Sequence, residues 1–395
     1  MANTKITNPE LFNLGDSTSA TQLPVMTTTQ RTDMTGLSVG EMIFNSTTDK
    51  VEYFDGTKWY GITYKVAGES PYNNVLYTGT SLTNPISQVG FSPDLVWLKQ
   101  RNSAQNHGLF DTVRGTNNFI MSNSTSAENT RTTDTLSSFD ADGFTVTPYS
   151  SDAFINYTGR TMVAWCFKAG GAAVANTDGS VASQVSANAA GGFSIVEYTG
   201  VASGTVGHGL NAPPELIITK QPGVVSYWQT YAAPLGKDKL LQLNSNGAEI
   251  SIANYWGTNP PTATVFGLST NSGHNPASGL NIAYCFASVA GYSKIGSYIG
   301  NGTTGQLIPT DFQPRFLLVK CSSGSLSYHD WYIFDNKRTP SNPSDAYLKA
   351  NKMDSEQQSL TYNPTFESTG FRWEPGDNSG GWNGSGFTYI YMAFA

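Results

Sequence analysis

The sequence predicts an all-β protein: three tandem β-sandwich (jelly-roll-like) units behind an extended N-terminal segment and a small β-meander. Three observations carry this. Only 13% of the residues are charged, against about 25% in ordinary globular domains, and the polar surface is supplied instead by 41 Ser, 44 Thr and 31 Asn among 395 residues. Beside them stand 20 Phe, 20 Tyr and 8 Trp. Hydroxyls, amides and aromatics favour strands and turns, whereas long helices draw on Leu, Glu, Lys and Ala. The third observation is an internal repeat that fills the last 330 residues or so.

Residues 1–35 are rich in Thr, Ser and Asn, with Leu11, Phe12, Leu14, Leu23 and Val25 as sparse apolar anchors. Such a segment buries little alone and is either disordered or ordered against another chain, so these five side chains are the candidate attachment residues. From Gly40 the pattern becomes a meander. Met42–Phe44 is a strand, Asn45–Lys50 a polar turn, and Val51, Tyr53 and Trp59 continue past a second turn at Asp55-Gly56, a good hairpin signal. A meander of this size is marginal in isolation. Residues 1–65 are therefore read as an attachment and oligomerisation segment.

The repeat has three anchors. The first is Tyr-x-Gly, at Tyr77–Gly79, Tyr198–Gly200 and Tyr298–Gly300. The second is a proline followed by an apolar strand ending in lysine: Pro93 to Lys99, Pro214 to Lys220 and Pro314 to Lys320. The third is a closing strand, Val163-Ala-Trp-Cys-Phe167, Ile282-Ala-Tyr-Cys-Phe286 and Ile390-Tyr-Met-Ala-Phe394. Tyrosine and lysine are separated by 22 residues each time (99 − 77, 220 − 198, 320 − 298). The units span 73–169, 193–288 and 293–395, each the size of a β-sandwich. Proline at the first residue is the position a sheet tolerates, and the unbroken apolar run after it predicts a strand covered on both faces, with Leu95, Leu216 and Phe316 buried. The small-residue stretch 170–192 reads as a flexible or partly extended linker, so the first unit is expected to be more independently placed, while the few residues around 288–293 tie the second rigidly to the third.

Several classes are excluded. A net charge of −7, a pI near 5.1 and no run of Lys or Arg leave no footprint for nucleic acid. Apolar runs such as Phe316–Val319 fall far short of the ~20 residues of a membrane span, and Met1-Ala2-Asn3-Thr4-Lys5 does not lead into a signal peptide. Three scattered cysteines predict folding in a reducing cytoplasm. No phosphate loop, nucleophile elbow or Cys-x-x-Cys pair occurs, so no cofactor, metal or catalytic residue is expected. His107 and His329, each just before a strand, read as an equivalent structural pair. Cys166 and Cys285 occupy a place that Ala393 takes in the third unit, hence small buried residues. Asp111/Arg114 and Asp335/Arg338 recur at one spacing and read as structural ion pairs. Asn156, Asn275 and Asn383 mark the turn into each closing strand.

Tyr284 to Gly302, Phe312 to Lys320, Trp331 to Arg338 and Tyr389 to Ala395 resemble a domain of unknown function found in virion proteins of marine bacteriophages, and Val163 to Gly170 matches the same pattern. Separately, Met26 to Arg31, Gly40 to Asn45 and Val51 to Trp59 look like a short module near the N-termini of phage tail-fibre proteins. The resemblance implies a homotrimeric, tail-fibre-type component of the virion surface (tail or fibre), made in the host cytoplasm, and transfers no catalytic residue.

A binding chemistry remains. Trp256 and Asn259, and Trp373, Asp377 and Trp382, combine aromatic faces with amides and a carboxylate in loops, the composition of a glycan-stacking site. The expected function is therefore a non-enzymatic virion protein, joined to itself and to other virion proteins through its N-terminus, whose sandwiches recognise a host cell-surface glycan or envelope protein without inserting into the membrane. The alternative is a purely structural decoration or adaptor protein. A glycan depolymerase is the third reading, with Glu367, Glu374 and Asp377 as its carboxylates.

Overall fold

A computed structural model describes residues 23–47, 50–62, 70–149, 154–270, 275, 278–303, 305–324, 328–339, 342, 344–358, 363–373 and 381–395. It is 43% strand and 2% helix, with mostly antiparallel sheets and without a barrel, which bears out an all-β fold of sandwich units. Two compact units form, residues 1–69 and 70–395.

In the first unit Met42–Asn45, Lys50–Phe54 and Trp59–Ile62 form the expected meander. The Asp55-Gly56 turn closes as its chemistry dictates: Asp55 Oδ1 accepts from the amides of Thr57 (2.7 Å) and Lys58 (2.8 Å), and Gly56 has φ +103°. Val25–Met26 adds in parallel to the first strand, followed by the short helix Thr28–Thr32 with a Thr27/Gln30 capping box. Among the described residues of this unit Ile43 is the one fully buried apolar side chain. Leu23 is half-buried and Val25 is 58% exposed; Leu11, Phe12 and Leu14 lie outside the described residues.

In the second unit all three repeats build the same four-stranded arrangement. An opening strand (Tyr72–Thr78, Phe193–Thr199, Ser293–Ile299) pairs with the closing strand (Thr161–Phe167, Leu280–Phe286, Thr388–Phe394). The closing strand pairs on its other side with the proline strand (Leu95–Gln100, Leu216–Lys220, Phe316–Cys321). A return strand (Gly108–Asp111, Gln229–Ala232, Trp331–Asp335) completes the set. The outer face of each main sheet packs on a smaller sheet, of three, two and three strands respectively, around its own core; Cys166, Cys285 and Ala393 are buried there at equivalent places.

The inner faces of all three sheets meet in one common core. Leu95, Leu216 and Phe316 sit opposite Phe167, Phe286 and Phe394 in register. Those three phenylalanines converge, with ring centroids 5.8, 5.4 and 6.2 Å apart. The three tandem units thus surround a pseudo-threefold axis, and the first is packed into the common core with the others instead of being more independently placed. Of the two readings of the stretch 170–192 the extended one holds: Val174–Asn176 and Ser183–Asn188 are strands that extend the second repeat's main sheet. Ser183 to Asn188 alternates buried and exposed positions at its start, a period-2 pattern that small side chains make easy to overlook.

Candidate functional site

The tryptophans expected to stack on a sugar are core residues. Trp256 is fully buried and its indole donates to the carbonyl of Lys239 at 3.0 Å. Trp373 and Trp382 stack on one another at 5.9 Å inside the third repeat's outer core. Trp373 ends the outer-sheet strand Gly370–Trp373, while Trp256 and Trp382 reach in from loops to finish cores that outer sheets of two or three strands leave open. Asn259 is exposed whereas Trp256 is buried, and Asp377 lies outside the described residues, as does Glu374. Glu367 pairs with Arg372, whose guanidinium holds the carboxyl below its ordinary range, the opposite of what a glycosidase acid requires.

What the structure does assemble is a set of three seams between repeats. At the end of each proline strand a buried lysine donates to a carbonyl of the neighbouring repeat: Lys220 to Thr125 (3.0 Å), Lys320 to Asn246 (3.2 Å) and Lys99 to Met353 (3.1 Å). Burial pulls these ammonium groups down, Lys99 to about 7 and Lys220 and Lys320 to about 8. Three residues beyond each acceptor stands a glutamate whose amide bonds back across the same seam: Glu128 to Pro222, Glu249 to Ser322 and Glu356 to Arg101. Their side chains bind Arg114, Lys239, and the pair Arg338 and Arg101.

The return strands carry a second set. Trp228 donates its indole N–H to Met121 O (2.9 Å) and Trp331 to Gln242 O (3.0 Å) across their seams. His107 takes this role in the first repeat: its Nδ1 accepts from Trp97 (2.9 Å), which places the proton on Nε2 for donation to Lys349 O (3.1 Å). Burial, then Lys99, holds its pKa well below the ordinary value. His107 therefore aligns with Trp228 and Trp331, which corrects its pairing with His329. Asn123, Asn244 and Asn351 accept from the amides of these three residues at 2.9, 3.0 and 2.9 Å.

The repeated ion pairs are seam elements too. Asp111 and Arg114, 2.6 Å apart, receive the Tyr284 hydroxyl at 2.7 Å from the second repeat. Asp335 and Arg338, 2.5 Å apart, receive the Trp165 indole N–H at 3.0 Å from the first, with the guanidinium 5.7 Å over that ring. At the remaining seam the equivalents are Ala232, Leu235 and Met392, all in the common core or packed on it, so acid, base and hydrogen-bonding aromatic are lost together. The glutamates and asparagines were missed in the sequence although their spacing recurs: Thr125-Ser-Ala-Glu128, Asn246-Gly-Ala-Glu249 and Met353-Asp-Ser-Glu356. The turn asparagines behave as expected. Asn156, Asn275 and Asn383 accept from the amides of Thr80, Val201 and Asn301, just after each opening strand.

The first repeat also holds a cleft. In the first repeat, Gln105, Asn106, Phe119, Asn129, Arg131 and Phe154 line a cavity of about 350 Å³. The Arg131 guanidinium lies 5.2 Å over the Phe119 ring and 5.4 Å over that of Phe154. Counting three residues on from the seam glutamate, the second repeat has Ile252 where the first has Arg131. Among the described residues no group of three His, Cys, Asp or Glu could hold a metal ion, and no helix is long and apolar enough to cross a membrane.

Residues 3–81 match a phage tail like trimerisation region, which supports a tail-type phage protein that assembles as a homo-oligomer, the trimer being the state that region is described by. No curated protein and no solved structure matches the chain. Residues 68–395 match a domain of unknown function, DUF7483. That match takes in the whole repeat-built unit and more than four-fifths of the sequence, and the chain belongs to the DUF7483 family.

Proposed function

We propose that this protein is a tail-fibre-type component on the surface of a marine bacteriophage, held as a trimer and attached to other virion proteins by its N-terminal region, with the three-repeat unit presented for recognition of a host-surface glycan or envelope protein. The match of residues 3–81 to a phage tail like trimerisation region carries this reading. The second unit supports it. Its chain enters at Tyr72, beside Phe167 and Phe394, while the lysine ends of the proline strands lie at the opposite end of the sheets. The loops beyond those lysines carry exposed Val225 and Tyr227. The reading contains no catalytic step.

Deleting residues 1–65 tests the attachment half: the remaining chain should stay folded, sediment as a monomer and fail to enter particles. Incorporation of the truncated chain would overturn it. For the recognition half, labelled full-length protein should adhere to host cells and be displaced by their extracted polysaccharide. Absence of adhesion would leave the adaptor reading, and release of reducing ends the depolymerase.

A further inference from the structure

Each repeat has an open side, between the free edge of its opening strand and the nearest strand of its outer sheet, and the three repeats treat that side differently. Tyr77, Tyr198 and Tyr298 set the alignment, so Asn73, Ser194 and Lys294 are equivalent. So are Ile86, Val206 and Ile308, each opposite a phenylalanine of the outer sheet. In the first repeat Asn73 reaches across and donates to the carbonyls of Gln88 (3.2 Å) and Val89 (3.0 Å). In the second the arm 174–188 fills the gap. Ser183–Asn188 adds antiparallel to Phe193–Thr199, the Val181 amide donates to Thr205 O at 3.0 Å beside Val206, and Val181 and Val185 are buried in the outer core.

In the third repeat the same side is open. Residues 287–292, which lead in from the second repeat, turn tightly through a Val289–Ser293 bridge and are too few to double back over the strand they precede. Among the described residues no strand pairs with the outer edge of Ser293–Ile299. A groove of about 320 Å³ lies between that strand and Leu307–Pro309, lined by Gly296, Ser297, Leu307, Ile308 and Tyr391 with their neighbours. Gly296 stands where the second repeat has Val196; a Cβ there would lie 2.8 Å from the Tyr391 hydroxyl, so the glycine is what lets that ring line the groove. Leu307 is 39% exposed.

The backbone of this edge is set for pairing. The Ile295 amide turns away from the closing strand to donate to Ser288 Oγ at 2.9 Å, and the Ile299 carbonyl turns the same way to accept from Gln306 at 2.8 Å. Alternate residues of an antiparallel strand face one side, so Ser297, exposed between them, directs both its N–H and its C=O outward. Its equivalent in the second repeat, Glu197, is paired with Gln184 of the arm. A backbone donor and acceptor beside an apolar groove select an extended polypeptide with apolar side chains at alternate positions, as Val181 and Val185 are in the arm. This chain's own segment of that kind is already seated in its own repeat.

We propose that the groove of the third repeat accepts a strand from another virion protein, antiparallel to Ser293–Ile299 and centred on Ser297. The proposal rests on the reading that this protein is a virion component, and it names a contact outside the N-terminal region.

The probe is a fluorescent peptide of residues 180–189, the chain's own occupant of the equivalent side, titrated against the full-length chain by anisotropy. It should bind, and the same peptide carrying Val181→Asp and Val185→Asp should not. Ser297→Pro removes the outward N–H at an edge position, where a sheet tolerates proline, and should weaken binding by about tenfold, the upper end of one hydrogen bond. Leu307→Lys, which places a charge on the apolar rim, should also weaken it. If Ser297→Pro lowers the melting midpoint, Leu307→Lys decides. No binding by wild type overturns the groove, as does equal binding by wild type and Leu307→Lys. In assembled particles a photo-crosslinking amino acid in place of Ser297 should capture another virion protein; capture of a second copy of this chain, or of nothing, overturns the donor. Particles that lack the chain altogether overturn the virion reading and the donor with it, while peptide binding still upholds the groove.

Discussion

The seam between the second and third repeats, where Ala232, Leu235 and Met392 stand in place of the acid, base and aromatic, supplies the control for an experiment on the seam between the third and first. Replacing Arg338 by Leu, the residue at the equivalent place in the second repeat (Leu235), leaves the Asp335 carboxylate fully buried without its 2.5 Å partner. Breaking a buried pair from one side costs about 3–5 kcal/mol. Here the lower half of that range is expected, because Asp335 keeps the Trp165 indole at 3.0 Å and the amides of Lys337 and Arg338 at 3.1 and 3.0 Å. Adding Asp335→Ala, after Ala232, removes the stranded charge; the remaining cost is then an unpaired Trp165 N–H, about 1–3 kcal/mol. The double variant should therefore be more stable than Arg338→Leu alone. Guanidinium unfolding of full-length protein at fixed protomer concentration, with equal m-values, measures the difference. A double variant as unstable as the sum of the two singles would refute the equivalence of the seams.

Phe394→Ala empties the point where the three repeats meet and should cost about 3–5 kcal/mol, with faster hydrogen exchange in the proline strands of all three repeats; protection lost in the third alone would mean that the common core does not couple them. Between pH 7 and about 10 stability should rise, because the fold lowers Lys99 to about 7 and Lys220 and Lys320 to about 8, so that the unfolded chain binds more protons in that window. Above about 10 it should fall again, since burial keeps Tyr72 and Tyr284 neutral in the fold while the unfolded chain ionises; a decline from pH 7 to 9.5, or an unchanged slope in Lys320→Met, contradicts this. Gly79→Ala should destabilise the first repeat by a few kcal/mol, as a Cβ there would lie 2.3 Å from the backbone oxygen of Tyr157, and a melting midpoint within 1 °C of wild type would count against the close approach.

The three anchors were legible because each meets a demand that cannot be relaxed. A Cβ on the Tyr-x-Gly glycines at 79 and 300 would lie 2.3 Å from a backbone oxygen, the proline strands are covered on both faces, and the closing strands are interior strands of the three main sheets. Strand positions could thus be read from local pattern. What could not be read was the ring. Nothing local distinguishes a lysine that ends a strand in water from Lys320, which donates its ammonium to Asn246 O across a seam. The same limit applied to Trp256 and Trp373: an aromatic in a polar loop has the same sequence signature whether it faces a ligand or roofs a thin sandwich. The Arg131 cleft was invisible for a related reason, since Gln105 and Phe154, 49 residues apart (154 − 105), meet only once the sheets are in place.

The seam that joins the third repeat to the first has no covalent connection, yet it holds the Arg101–Glu356 pair, the Lys99 and His107 bonds to Met353 and Lys349, and the Ser122–Ala350 bond. These partners lie 228 to 255 residues apart in sequence. Contacts that distant form late and slowly, because the chain between them must be ordered first. The same topology works in reverse once the ring has closed. Opening any one repeat means breaking two seams and exposing the shared phenylalanine centre at once, so unfolding has a high barrier and no cheap partial route. For a virion component of the kind proposed, persistence is set by that barrier more than by equilibrium stability.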